Sequence, residues 1–383
     1  MKKVNNFPGL FCVAAGRHLG KLIISSLFCA QAFLAPIGLS QETNQTATNR
    51  IFGTSTTPTL KIGEFTSGPN PEGVKLTRSF LNKNRERYEQ ILARARQWLD
   101  RLAVDPIELR VHGIKGKKKL AEILDTYFRI YSVANPQDKQ NILIRVKTLT
   151  VVTSQTNYHD MLVINDLEFK QDATSYLRVA YLMERFGLDT KFYRAQIDKV
   201  YPRLNEHMSS RGVDQRMAFH WYYEHFGLKE PFPLESAFQT GLIASRKQVD
   251  WFKQTPMEAY NLTHEVFAPY KFGENLDADF FTPDDKVYLR GILTNIMPWY
   301  VQRGDPDLTA EFILCAAYLK FIDLPVYLES LNFLLESQNK NGSWGQYEQQ
   351  RQTMGNYVEQ GLYLHTTMVA LDALVVAFEL RAP

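Results

Sequence analysis

Three polar, titratable side chains stand inside otherwise apolar helical patterns: His264, Glu311 and His365. His264 lies between Thr263 and Glu265 in the run Met257 to Ala268, where helical spacing puts it on one face with Tyr260, Phe267 and Ala268. Glu311 sits among Ala310, Phe312 and Ile313, one turn after Asp307. His365, followed by Thr366 and Thr367, stands in the apolar run Val358 to Leu380. Burying an unpartnered polar group costs about 1–3 kcal/mol, so three of them are expected to meet and satisfy one another. Two chemistries fit that meeting. Two imidazoles and a carboxylate can hold a divalent metal and leave a position for water or substrate. The same groups without a metal can do acid–base work, tuned by partial burial. Spacing does not separate these from the plainer reading of satisfied core histidines. Asp307 reads equally well as a helix N-terminal charge stabilised by the dipole. His220 and Glu224, four apart with His225 following, are a weaker metal pair in what also reads as an aromatic surface helix.

The elements that must carry these groups are helices. Phe80, Tyr88, Ile91, Leu92, Ala95, Trp98, Leu99 and Leu102 recur mostly at three- and four-residue steps, as an amphipathic helix requires. Leu120, Ile123, Leu124, Tyr127, Phe128 and Tyr131 repeat the pattern. The stretch Ile142 to Val163 is the most strand-like, but it lacks a hairpin signal and reads as helical or irregular. Tyr181 to Leu188 is echoed forty residues later by Trp221 to Leu228, with Phe-Gly-Leu closing both, and more loosely by Tyr318 to Leu324. A period near forty with two helices per unit is the mark of a helical repeat array. The expectation is an all-α chain of helix-hairpin repeats, forming an α/α toroid or an incomplete toroid or α-solenoid. Its parts are a basic helical region over 75–165 and a helical-repeat region over 166–383.

The first residues read as an export signal over 1–32. Lys2, Lys3, Arg17 and Lys21 precede the apolar run Leu22 to Cys29, and Ala30-Gln31-Ala32 fits a signal-peptidase site. A polar tether over 33–74 follows, rich in Thr, Ser, Asn and Gln. Cleavage would remove Cys12 and Cys29 and leave Cys315, in an apolar run that marks it as a core thiol. The mature chain is expected to be periplasmic or extracellular, with no transmembrane span. The formal net charge of +3 over 383 residues argues against nucleic acid. One excess is local: Lys75 to Lys119 holds thirteen Lys/Arg against five Asp/Glu. It reads as a solvated helix face plus a basic loop ending in Lys117-Lys118-Lys119, or as a contact with an acidic partner, polysaccharide or membrane surface, so that a polysaccharide or envelope partner is the expected one. No phosphate-binding Gly-rich loop, nucleophile elbow or zinc-cysteine spacing occurs in the sequence.

Gln338, Asn341-Gly342 and Ser343-Trp344-Gly345 end the helical run Tyr327 to Ser337. This turn resembles the Gln-Trp repeat of triterpene cyclases and related α/α toroids, which include prenyltransferases and polysaccharide-degrading enzymes. The resemblance implies a fold more than a reaction. The clustered aspartates of terpene cyclases have only a distant counterpart here, Asn275-Leu276-Asp277-Ala278-Asp279. Leu262 to Phe267, Phe272-Gly273, Asp307 to Glu311, the Gln338–Trp344 turn and Tyr363-Leu364-His365 together resemble an uncharacterised bacterial helical domain family over roughly 255–380. Three functions are open. The first is an exported enzyme acting on a carbohydrate or other polymer through His264, Glu311 and His365, with or without a divalent metal. Aromatic residues such as Trp221, Tyr222, Tyr223, Trp251, Trp299 and Tyr300 would line its cavity. The others are a non-catalytic envelope-binding repeat protein and a terpenoid cyclase-like enzyme.

Overall fold

Asparagine, aspartate, threonine and proline set the helix starts. The computed structural model describes residues 68–102, 113–231, 233–381 and 383. The expected leader, its two cysteines and most of the tether lie outside them. α1 (Pro71–Lys83) is capped by Asn70, whose side chain accepts from the Glu72 amide. α2 (Arg85–Arg101) and α3 (Gly113–Val133) follow. Asn135 caps α4 (Pro136–Thr150) and Asn165 caps α5 (Asp166–Arg185). After them come α6 (Lys191–Met208), α7 (Val213–Phe226), α8 (Val249–Gln254) and α9 (Pro256–Phe267). Thr282 and Asp285 form a reciprocal capping box on α10 (Pro283–Gln302), and Asp305 caps α11 (Pro306–Tyr318). α12 (Pro325–Ser337) and α13 (Leu364–Val375) follow, with short unlabelled helical turns such as Leu242–Ser245 and Glu348–Met354 between the labelled helices; α13 is flanked by single wide turns, so the last helical stretch runs from Glu359 to Leu380. Proline at the first helical position, as in α1, α4, α9, α10, α11 and α12, gives up an amide that had no partner anyway. No strand occurs among the described residues. Even the β-branched run after Ile142 is helical, with Ile142, Val146 and Leu149 buried at helical steps.

The sequence echo is an echo of helix ends. Gly187 and Gly227 both adopt a left-handed conformation (φ 72° and 70°). The next amide reaches back over the end, Leu188 to Met183 and Leu228 to Tyr223. In the third copy Lys320 takes that conformation (φ 62°), and Phe321 reaches back to Ala316.

Packing follows a cyclic order. α3 packs on α5, α5 on α7, α7 on α9, α9 on α11, α11 on α13, and α13 returns to α3. Other helices pack against members of this cycle, α4 on α3, α6 on α5, α8 on α9, α10 and α12 on α11, and α2 on α13, while α1 packs on α2 and α12. Every residue of α11 is buried, as expected of an element covered on all sides. One hydrophobic cluster runs from Leu81 to Phe378, so 75–165 and 166–383 share a core.

The two ends of the described chain meet. Arg85 pairs with Glu379 at 2.6 Å, and the Asn70 amide donates to Asp323 at 2.8 Å. The Gln338–Trp344 turn fastens the same seam. Gln338 donates to the carbonyls of Ile91 and Gly342, both at 3.0 Å, and accepts from Arg94 at 2.9 Å. Trp344 is fully buried, and its indole N–H donates to Leu334 at the end of α12 at 3.0 Å. A Cβ on Gly342 (φ 102°) would lie 2.2 Å from the Arg94 carbonyl, so only glycine fits.

Two readings need correction. Residues 71–74 belong to α1, because Asn70 caps a helix that packs on the loop carrying Asp323, so the tether cannot extend to 74. The lysine run is not a solvated basic loop. It lies on α3, where Lys117 is buried with Asp172 at 2.6 Å and buried Lys119 donates to Gln360 at 2.9 Å. Glu359–Leu380 is long and apolar enough to cross a membrane by length and composition. Most of it is buried within the molecule, since α13 is a member of the cycle.

Candidate acid–base site

The cycle brings His264, Glu311 and His365 together. His264 projects from α9, Glu311 from α11 and His365 from α13. His264 Nε2 lies 3.7 Å from Glu311 Oε1, and His365 Nε2 lies 4.0 Å from the same oxygen. Each ring is flanked by another carboxylate on its other nitrogen. Asp214 of α7 is 3.8 Å from His264 Nδ1, and Glu122 of α3 is 3.0 Å from His365 Nδ1. Five of the six cycle helices therefore contribute. The three consecutive polar residues of α9 diverge: Thr263 donates to Glu311, His264 enters the cluster, and Glu265 caps the turn at Leu242 and Ile243 (2.8 and 3.1 Å).

The carboxylates are deep and the imidazoles shallower. The side chain of Glu311 is 1% exposed and that of Glu122 5%, against 22% for His264 and 26% for His365. Burial alone would raise the Glu122 carboxyl. Lys118 and the hydrogen bond and charge of His365, with Arg178, hold it down at about 2. Burial alone would lower the His365 pKa, but Asp307 and Glu122 raise it above the ordinary imidazole value. Asp307 is raised by burial and by Glu311, against the opposing charge of His365. Burial and neighbouring charges thus raise the proton affinity of an imidazole and of one carboxyl beside a carboxyl held low, the kind of tuning that acid–base chemistry uses. Among the described residues no group of three or more His, Cys, Asp or Glu side chains is placed to hold a metal ion. The predicted trio is spaced as ion pairs.

These shifts make stability depend on pH from both sides. Glu122 binds its proton more weakly in the folded chain, so its contribution is complete above the ordinary value of 4.5 and is lost as pH falls toward 2. The full amount is up to about 3 kcal/mol, at roughly 1.4 kcal/mol per pKa unit. His365 acts the other way. Its contribution is complete below 6.5 and is lost as pH rises through the raised folded value. Urea unfolding from roughly pH 3 to 9 should show both limbs. In His365→Ala the alkaline limb should vanish and the acid limb should shrink, still starting near 4.5 but ending at higher pH; unchanged limbs would mean that the pair does not titrate together.

The other sequence candidates fall elsewhere. His220 pairs with Glu230, and Glu224 pairs with Lys271 at 2.9 Å, so the two do not form a joint site. Asp277 and Asp279 are exposed and pair with Arg381 and Lys286. Cys315 is a free, buried thiol with its pKa pushed well up by burial. Of the aromatics expected to line a cavity, Tyr223 and Tyr300 are buried in the core. Trp251 and Trp299 are exposed on α8 and α10, which are not members of the cycle. A surface groove lined by Arg246, Gln248, Asp284, Val287 and Tyr288 includes none of the trio.

Sequence reasoning missed Glu122 and Asp214. Glu122 stands among Leu120, Ala121, Ile123 and Leu124, the same signal of a charge inside an apolar helix that singled out Glu311. Asp214 is in the first turn of α7, where an acid is unremarkable.

The fold and cluster define an all-helical protein with an interior histidine–carboxylate site. The chain belongs to the family described as Domain of unknown function (DUF6895), which matches residues 88–375 and so covers every residue of the cluster. No curated protein and no solved structure matches the chain.

Proposed function

We propose that this protein is an exported enzyme that uses His264, Glu311 and His365 for acid–base hydrolysis of an extracytoplasmic carbohydrate polymer, within a helical ring of the α/α-toroid type. The observation that carries the reading is the convergence of two imidazoles on one buried Glu311 oxygen, each ring flanked by its own second carboxylate. Groups kept only for packing have no reason to gather five titratable side chains from five helices, whereas a reaction that moves protons needs a donor, an acceptor and a fixed charge together. The cyclic packing order and the Gln338–Trp344 turn support the ring, and the Lys2–Ala32 pattern supports export.

Two experiments test this. Edman sequencing of the protein recovered outside the cytoplasm of its host should begin near Phe33; a cytoplasmic chain beginning at Met1 would refute export. Incubating the purified mature chain with soluble polysaccharides and peptidoglycan should release reducing ends from at least one. Binding without release would favour a non-catalytic envelope protein instead.

A further inference from the structure

Asp307 has the position of a helix-capping acid but does not cap. Asp305 does that, accepting from the amides of Asp307 at 3.0 Å and Leu308 at 3.2 Å. The Asp307 carboxyl turns inward. Its residue is 8% exposed, and its Oδ2 accepts from the Tyr260 hydroxyl at 2.5 Å. Its Oδ1 is buried without a hydrogen bond and lies 3.9 Å from His365 Nε2. A buried carboxyl oxygen left without a close hydrogen bond costs about 1–3 kcal/mol, and a ligand is one group that can supply the missing bond. Glu311 is one turn along the same fully buried helix, so ionising both carboxyls would place two negative charges side by side away from bulk water.

We propose that Asp307 is the proton donor of the site and that its Oδ1 receives the bridging oxygen of a glycosidic link, a role that rests on the carbohydrate reading above. In the step, the bond from the anomeric carbon to the bridging oxygen breaks and the Asp307 proton goes to that oxygen. Water forms the new bond to the anomeric carbon and gives a proton to the Glu311–His264 pair. The sum is hydrolysis to two hydroxyl products, and the proton returns from Glu311–His264 to Asp307 through solvent. His365, held charged between Glu122 and Asp307, keeps the donor in place. The groups facing the Asp307 carboxyl are Tyr260 from α9, Asp305 and Glu311 from its own surroundings, His365 and the Thr366 hydroxyl from α13, and Tyr347, whose own hydroxyl is 2.7 Å from that of Thr366. Burial and Glu311 keep its carboxyl above the ordinary aspartate range, as a donor requires.

The test uses the full mature chain. Carbon-13 NMR of aspartate-labelled protein, with Asp307 assigned by its loss in Asp307→Asn, should show this carboxyl still protonated where exposed aspartates have ionised. Its titration should move higher in His365→Gln and in Tyr260→Phe, the second of which leaves the carboxyl in place should Asp307→Asn fail to fold. On aryl glycosides, Asp307→Asn should lose about 10²–10⁴-fold with a methoxyphenyl leaving group. With dinitrophenyl, which departs unprotonated, it should stay within about 10-fold of the parent chain. A carboxyl titrating in the ordinary range, or equal losses on both glycosides, would overturn the assignment. Harmless Asp307→Asn in a chain that does cleave glycosides would sink this assignment alone. A chain that cleaves no glycoside while the carboxyl titrates high would sink the carbohydrate reading and the leaving-group step with it.

Discussion

Alanine at either His264 or His365 is expected to lower turnover by about 10²–10⁴-fold, the usual contribution of proton transfer, which His264 shares with Glu311 and for which His365 holds the donor. Helicity should be unchanged, because both rings are at the shallow side of the cluster and neither fills a core position. The two losses should not multiply. Both rings address the same Glu311 oxygen, so removing one already breaks the unit, and the double variant should be little worse than the worse single one. Circular dichroism and rates on the same preparations decide the matter. If both variants simply unfold, the rings are packing groups and the site reading fails.

Asp323→Ala should be strongly damaging to stability, at about 3–5 kcal/mol. Asp323 lies between α11 and α12 and receives a two-pronged contact from Arg290 of α10, with one prong at 3.1 Å. The same carboxylate accepts the Asn70 amide that starts α1. Both ionic partners are buried, so removing the acid strands a guanidinium in the core and also loosens the seam where α1 meets the loop. The double change Arg290→Met with Asp323→Ala should recover part of the loss, since it leaves no buried charge unpaired. Urea unfolding of the three variants measures this cycle; a loss under about 1 kcal/mol for Asp323→Ala would place the pair among contacts that water already screens.

Much of this was legible in the sequence where the physics is local. Asn70, Asn135, Asn165 and Thr282 act at helix starts with their own side chains, and Gly187 and Gly227 act at helix ends with their own backbones. The trio was legible for a similar reason: a charge in an apolar helix needs partners, and three such helices in one chain are expected to share them. What stayed hidden depends on pairing between distant elements. Lys117 looks like a surface lysine until Asp172 is found across the α3–α5 contact. Asp307 looks like a cap until Asp305 is seen to hold that place. Trp251 and Trp299 have the composition of a sugar-binding lining, but nothing local says that α8 and α10 are not members of the cycle.

Acid–base hydrolysis by the histidine–carboxylate cluster with its own side chains has one direct test. Reducing-end release from a cleaved polysaccharide should be measured for the parent chain and for Glu311→Gln, each with and without EDTA. The account predicts a parent rate unchanged by EDTA and a Glu311→Gln rate lower by about 10²–10⁴-fold, with both chains equally helical. Loss of the parent activity in EDTA, or a Glu311→Gln chain as active as its parent, would contradict it.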